Sequence, residues 1–374
     1  MKITALDVHA VHLPYAGGVY RLSGGRQYQG FDAAIVRMET DTGLIGWGET
    51  TPFGASYIEA HAGGVLAALE ELAPAVLGMD PRHHDRLYDR MDMAMKGQHA
   101  AKTAIDVAGW DVSGKAMGMP VADMLGGRID GRVPLISSIG GDTPEAMRAS
   151  VADFRARGFF GHSIKIGATM AEGGPALDAE RIMACLADKQ DHEWMLVDAN
   201  GGLTVEHALR MMALLPPGLD FVLEAPCATW AETLSLRARL NHPLLLDELV
   251  ETEADLINAI RHDACDGAGL KISKQGGLTP TRRQRDICRA AGLVTSIQDT
   301  VGSDIAFAAV LHVAQSTPRS ILRCALDTRA MVSLTTAGFD APVENGGAMV
   351  PDAPGLGVTP DLDVLGDPVA QYRR

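Results

Sequence analysis

The 374-residue chain is 47% hydrophobic and 21% charged, the balance of a globular protein with a sizeable core. A net charge of −14 argues against a nucleic-acid groove, because phosphate contacts need clustered Lys and Arg. It leaves the substrate open, since a site can be locally cationic in an anionic protein.

The length suits two domains, or one large barrel with an appendage. Five cysteines (Cys185, Cys227, Cys265, Cys288 and Cys324), with no CxxC pair, indicate neither a disulfide framework nor a zinc knuckle. They fit a reducing cytoplasm. No apolar signal segment precedes the first strand pattern and no apolar run is long enough to span a membrane, so a cytoplasmic protein without a membrane partner is expected.

In chain order, Ile3 to His12 alternates as a half-buried strand does. A Gly- and Tyr-rich loop, Tyr15 to Gln29, leads to a second strand pattern, Ala33 to Thr40. The turn signal Asp41-Thr42-Gly43 then returns the chain as Leu44 to Glu49. Another loop, Thr50 to Tyr57, precedes several helices that run to Gly118; Trp110 fits best as core of one of them. This opening part reads as an α+β domain, residues 1–126.

After Gly126-Gly127 the pattern changes. Short apolar runs alternate with amphipathic stretches: Val133–Ser138, His162–Ile166, Trp194–Asp198, Phe221–Glu224, Leu244–Asp247, Gly269–Ser273, Leu293–Gln298 and Ile321–Leu326. Eight strands alternating with helices predict an α/β fold, a (β/α)8 barrel over residues 127–330. A doubly wound open sheet fits less well, since no GxGxxG follows the first strand. The Gly-, Pro- and Asp-rich tail, 331–374, is expected to leave the barrel and pack on the first domain.

The chemistry lies at the strand ends. Strands two to six end in Lys165, Asp198, Glu224, Asp247 and Lys271. In a barrel these C-terminal ends share one mouth. Three carboxylates from neighbouring strands repel strongly unless a cation sits among them. Oxygen ligands with room for water and substrate suit Mg²⁺, with Mn²⁺ as a substitute. Strands two and six stand opposite in an eight-stranded ring, so Lys165 and Lys271 should face each other across the site. Two bases on opposite faces of one carbon suit the removal and return of an α-proton, and a divalent ion stabilises the charge that develops on the carboxylate oxygens.

A single acidic residue at a strand end is usually a helix cap or a loop ion pair. The case rests on five positions agreeing in order, strand phase and chemistry. Glu248 reads as a supporting group or a further ligand, Lys274 as structural support, and Asn200 as a neighbour of the ligands. None of the histidines shows ligand spacing.

The pattern resembles the enolase superfamily, in its mandelate racemase and muconate lactonizing enzyme branch. The resemblance covers essentially the whole chain. It rests on Gly46-Trp47-Gly48-Glu49, on Ala104-Ile105-Asp106, on Asp198, Glu224 and Asp247, and on Leu270-Lys271 with Gly276-Gly277. It implies a capping domain whose two loops, Tyr15–Gln29 and Thr50–Tyr57, cover the barrel mouth and set specificity. The family commonly forms dimers or octamers, so a homo-oligomer is implied too. Ser163 replaces the first lysine of the Lys-x-Lys often found at the end of strand two, and no His stands with Asp299 after strand seven. The segments Pro52 to Tyr57, Ser163 to Gly167 and Ser296 to Thr300 look like those of enzymes acting on proline derivatives. The resemblance then implies dehydration of cis-3-hydroxy-L-proline, which Leu135-Ile136-Ser137-Ser138 favours, or 2-epimerisation of hydroxyproline or proline betaines. Dipeptide epimerisation is a further alternative, and a binding barrel without activity fits poorly with all five positions filled. Tyr57, Ser163, Asn200, Asp299 and Thr300 are the expected substrate-binding residues, with Asp299 facing a substrate ammonium.

Overall fold

A computed structural model describes residues 1–374. The first strand, Ile3–Pro14, lies at the centre of an antiparallel sheet, with Gly30–Thr40 on one side and Ala370–Arg373 on the other. Ile45–Thr50 pairs with Gly30–Thr40 at the edge. Three helices follow: Ala62–Val76, His84–Ala94 and His99–Met117. The first loop is less irregular than its composition suggests. It folds into a short hairpin, Tyr20–Arg21 against Gln27–Tyr28, around a turn at Ser23–Gly25.

Gly46 and Gly48 let the edge strand lie directly on the third helix. A Cβ on either would collide with the backbone of that helix, at Ala108 and Val112 for Gly46 and at Ala104 and Ala108 for Gly48. The helix is buried from Ala100 to Gly114, because the barrel covers its other side. There Trp110 is core, as expected, and its indole N–H donates to the Thr279 hydroxyl at 2.9 Å.

The barrel strands are Val133–Ile139, Gly161–Lys165, Trp194–Asp198, Val222–Glu224, Leu244–Leu246, Gly267–Lys271, Val294–Gln298 and Leu322–Leu326. All neighbours are parallel, and the eighth closes on the first through Ala325 opposite Leu135 and Leu326 opposite Ile136. Seven of the strand-to-strand connections carry a helix. The eighth strand is followed only by a single turn at Thr328–Met331, so the last unit of the expected (β/α)8 pattern lacks its long helix. Gly, Pro and Asp in the tail disfavour helix there.

Two expectations need correction. The sixth strand begins at Gly267 and ends at Lys271, two residues earlier than predicted, because Ile272–Gln275 turns into a short helix. The tail also does more than pack on the first domain. Gly347 and Ala348 pair with the first barrel strand before residues 370–373 join the capping sheet.

Candidate active site

The parallel register sets the charged strand ends level: Lys165 lies opposite Asp198, and Asp198 opposite Glu224. The ring order 2-3-4-5-6 puts Lys165 and Lys271 on facing strands. All five groups are buried.

Desolvated charges need partners, and four of the five have found one of opposite charge. The Lys165 ammonium pairs with Asp198 Oδ2. The Lys271 ammonium pairs with Asp247 Oδ2 and donates to the Tyr57 hydroxyl. Lys274, placed by the short helix, pairs with Asp247 Oδ1 at 2.7 Å and donates to the Asp247 carbonyl. Asn200, in the left-handed region at φ 45°, gives its backbone N–H to Asp198 Oδ1 at 2.9 Å. Its side-chain amide donates to Asp198 Oδ2 and to Glu248 Oε1, each at 3.0 Å. Gln298 donates to Glu224 Oε1 at 3.2 Å.

Burial pulls both lysines down, but the carboxylates beside them outweigh it: Asp198 for Lys165 and Asp247 for Lys271. Both ammonium groups are held above the ordinary lysine range. Burial raises Asp247 as well, yet Lys271 and Lys274 win and hold it low. Glu224 has no such cation. Burial, then the charges of Asp198 and Asp247, push it well up. Glu248 is raised by burial and then by Asp247.

Four carboxylates thus face three ammonium groups, and Glu224 Oε2, Glu248 Oε2 and Asn200 Oδ1 are buried without a hydrogen-bond partner. This donor set, all oxygen and short of positive charge, fits a hard divalent cation. The three strand-end carboxylates lie near enough for Asp198 and Asp247 to act on Glu224, but they are not drawn into a ligand set here. No three His, Cys, Asp or Glu side chains stand together in ligand geometry. The lysine ammoniums take up Oδ2 of Asp198 and of Asp247 instead.

Above this layer lies a small cavity. Both lysines line it, and so do all five expected substrate-binding residues: Tyr57, Ser163, Asn200, Asp299 and Thr300. Asp198, Glu224 and Asp247 sit behind the lysines. Asp299 is more occupied than expected. Its Oδ1 accepts from the backbone N–H of Ser273 (3.2 Å) and Thr300 (2.7 Å), and its Oδ2 from the Ser273 hydroxyl (3.0 Å). Burial raises it to about 7.

Both capping loops reach the cavity, through Tyr20 and Leu22 from one and Phe53 and Tyr57 from the other. They are tied together by Arg26, which donates to the Ser56 carbonyl at 2.8 Å, and by Tyr28 with Ser56 (2.9 Å). Tyr20, Phe53 and Gln298 escaped the sequence reading. Tyr20 and Phe53 lie in loops already singled out, and Gln298 closes a predicted strand, but nothing local marks them as lining.

The other motif residues hold the two domains together. Glu49 accepts from the Ser303 and Ala306 backbone N–H groups and from the Ser303 and Thr51 hydroxyls, so it caps the helix Asp304–Gln315. Asp106 accepts from the backbone N–H of Thr279 at 2.9 Å and from its hydroxyl at 2.6 Å, at the start of the helix Leu278–Ala291. Burial raises Asp106 to about 7.

Comparison with known proteins adds two family matches. Residues 24–126 match the mandelate racemase/muconate lactonizing enzyme N-terminal domain, and residues 146–364 the enolase C-terminal domain-like family. Cis-3-hydroxy-L-proline dehydratase from Roseibium aggregatum is 39% identical over 372 residues, covering 100% of both chains. N-succinyl-L-Arg/Lys racemase from Bacillus cereus is 28% identical, over 84% of this chain and 85% of that protein. A crystal structure of a mandelate racemase/muconate lactonizing enzyme from Roseovarius nubinhibens ISM, complexed with magnesium, is 67% identical with a TM-score of 0.98, covering 100% of both chains.

Proposed function

Because the chain belongs to the mandelate racemase/muconate lactonizing enzyme family of the enolase superfamily, we propose that it removes the α-proton of a proline-derived carboxylate with Lys165 and Lys271, and that its reaction is dehydration of cis-3-hydroxy-L-proline. The observation that carries this is the pair of lysines, delivered by facing strands to one small cavity. On this reading residues 1–126 are the cap, 127–330 the catalytic barrel and 331–374 the segment returning to the cap.

With a divalent cation taking the carboxylates that otherwise hold it as an ammonium, one lysine would be free to act as the neutral amine and take the proton from C2. The other, as the ammonium, protonates the departing C3 hydroxyl, so that a C–H and a C–O bond break and water leaves. The enamine product then tautomerises to the cyclic imine, a pyrroline-2-carboxylate. Asp198, Glu224 and Asp247 would hold Mg²⁺ (or Mn²⁺), which when bound stabilises the negative charge that develops on the substrate carboxylate. Tyr57, bonded to Lys271, orients that ammonium toward the cavity, and Asn200 fixes Asp198. Phe53, Tyr20 and Leu22 exclude water.

A second reading has an observation of its own. Tyr20, Phe53 and Tyr57 all line the cavity, and such faces attract a quaternary nitrogen. A 4-hydroxyproline or proline betaine bound there has no C3 leaving group, and the opposite lysine returns the proton, giving 2-epimerisation of the first or racemisation of the second. Both readings describe an enzyme working in the cytoplasm as a homo-oligomer on small molecules. The five cysteines are free and buried, and no helix is long and apolar enough to cross a membrane.

Proton NMR with Mg²⁺ in D₂O separates the readings. New imine-acid resonances with cis-3-hydroxy-L-proline are the expected result. Appearance of the other diastereomer from a hydroxyproline betaine, or C2 exchange in proline betaine, makes the enzyme an epimerase or racemase. No exchange with any proline derivative removes both.

A further inference from the structure

At the opposite end of the barrel, around the first residues of strands one, two, three and eight, lies an open cleft. The tail closes one side of it where Gly347 pairs with Pro134. This strap lies close against the barrel: a Cβ on Gly347 would meet Val133 and Arg132, and one on Gly346 would meet the Phe160 ring. Phe160 and Trp194 supply aromatic walls.

The charge here runs against that of the whole molecule. In a chain of net charge −14, Arg132, Arg319 and Arg323 converge on this one cleft, with His192 beside them. Only Arg132 has a carboxylate partner, Glu344. Arg319 gives one amino group to the carbonyls of Asp130 (2.9 Å) and Arg132 (2.7 Å), leaving its other donors free. Arg323 is exposed and lies 5.6 Å from the Trp194 ring centroid, with no acceptor of its own. The Trp194 indole N–H is buried without a partner. The cleft is therefore rich in donors, poor in acceptors and walled by π-faces. A guanidinium fork matches a carboxylate or phosphate, and an aromatic wall matches a flat body behind it.

We propose that this cleft is a second ligand site, separate from the catalytic mouth, for a small planar molecule carrying a phosphate or carboxylate group. Arg319 and Arg323 grip the anionic end, and Trp194 with Phe160 packs on the ring. The inference stands apart from the proposed reaction, since no residue of the cleft lines the catalytic cavity.

The test uses the full-length protein at fixed ionic strength, with phenyl phosphate, benzoate and inorganic phosphate as probes, read by calorimetry and by tryptophan fluorescence. Saturable binding of phenyl phosphate or benzoate, tighter than inorganic phosphate, is expected; which of the two binds better identifies the anion. R323Q should weaken it about tenfold, the loss expected for one charge-assisted bond. E344Q, which removes the competing carboxylate, should tighten it. Both positions lie at the surface, and unchanged melting curves would confirm that the variants fold. Absence of saturable binding, or equal binding by wild type and R323Q, overturns the proposal. Equal binding of phosphate and phenyl phosphate removes the aromatic part of the site and overturns it in this form.

Discussion

Lys165→Ala and Lys271→Ala should separate catalysis from stability in a way the ion pairs dictate. A positioned acid or base contributes roughly 10²–10⁴-fold to rate, or about 3–5 kcal/mol of barrier. Each variant should therefore lose that much turnover on the best substrate. Stability should respond unequally. Lys274 still neutralises Asp247 after Lys271 is removed. Asp198 loses its only cation with Lys165 and keeps just the N–H donors of Asn200. Removing one partner of a buried pair costs about 3–5 kcal/mol, so Lys165→Ala should approach that loss and Lys271→Ala should fall well short. The assay is denaturant unfolding without added divalent ion, run beside turnover, C2 deuterium exchange and calorimetric Mg²⁺ binding. Metal binding should survive in both. A variant that keeps wild-type turnover and exchange removes that lysine from the mechanism, and equal destabilisation by the two would refute the pairing argument.

Asp106 supplies a pH dependence. Burial raises the folded carboxyl to about 7, while an unfolded aspartate titrates near 3.9. Between those values the folded state binds more protons, so this group's contribution to stability falls as pH rises and levels off above about 7. Asp106→Asn should flatten that part of the stability–pH curve, measured by denaturant unfolding at several pH values; an unchanged slope would exclude Asp106 as its source. Gly48→Ala should cost about 3 kcal/mol or more, because its methyl meets the Ala104 carbonyl and lies 2.6 Å from Ala108 N. Thermal unfolding reads that loss, and a wild-type melting temperature would mean that the edge strand can move off the helix.

Much of the architecture was legible because its signals are local. Alternating short apolar runs and amphipathic stretches placed all eight barrel strands, and the residues closing strands two to six gave the order Lys, acid, acid, acid, Lys. The sixth strand shows where local reading stops. Its apolar run continues past Lys271 into Ile272, so the chain's turn into a short helix left no trace in periodicity, and that turn carries Lys274 to Asp247.

The sequence by itself determined which charged groups reach the barrel mouth, since strand phase and strand ends follow from residues a few positions apart. Only the tertiary structure decided which charges pair and what encloses them. Lys271 meets Tyr57 across 214 positions, and Asn200 bridges Asp198 to Glu248. Glu49 and Asp106, motif residues of the capping domain, cap barrel helices. Such contacts are fixed by desolvation. A charge taken out of water is tolerated only where a partner arrives through space, and that partner comes from ring closure and from the docking of the cap, which a local pattern does not encode.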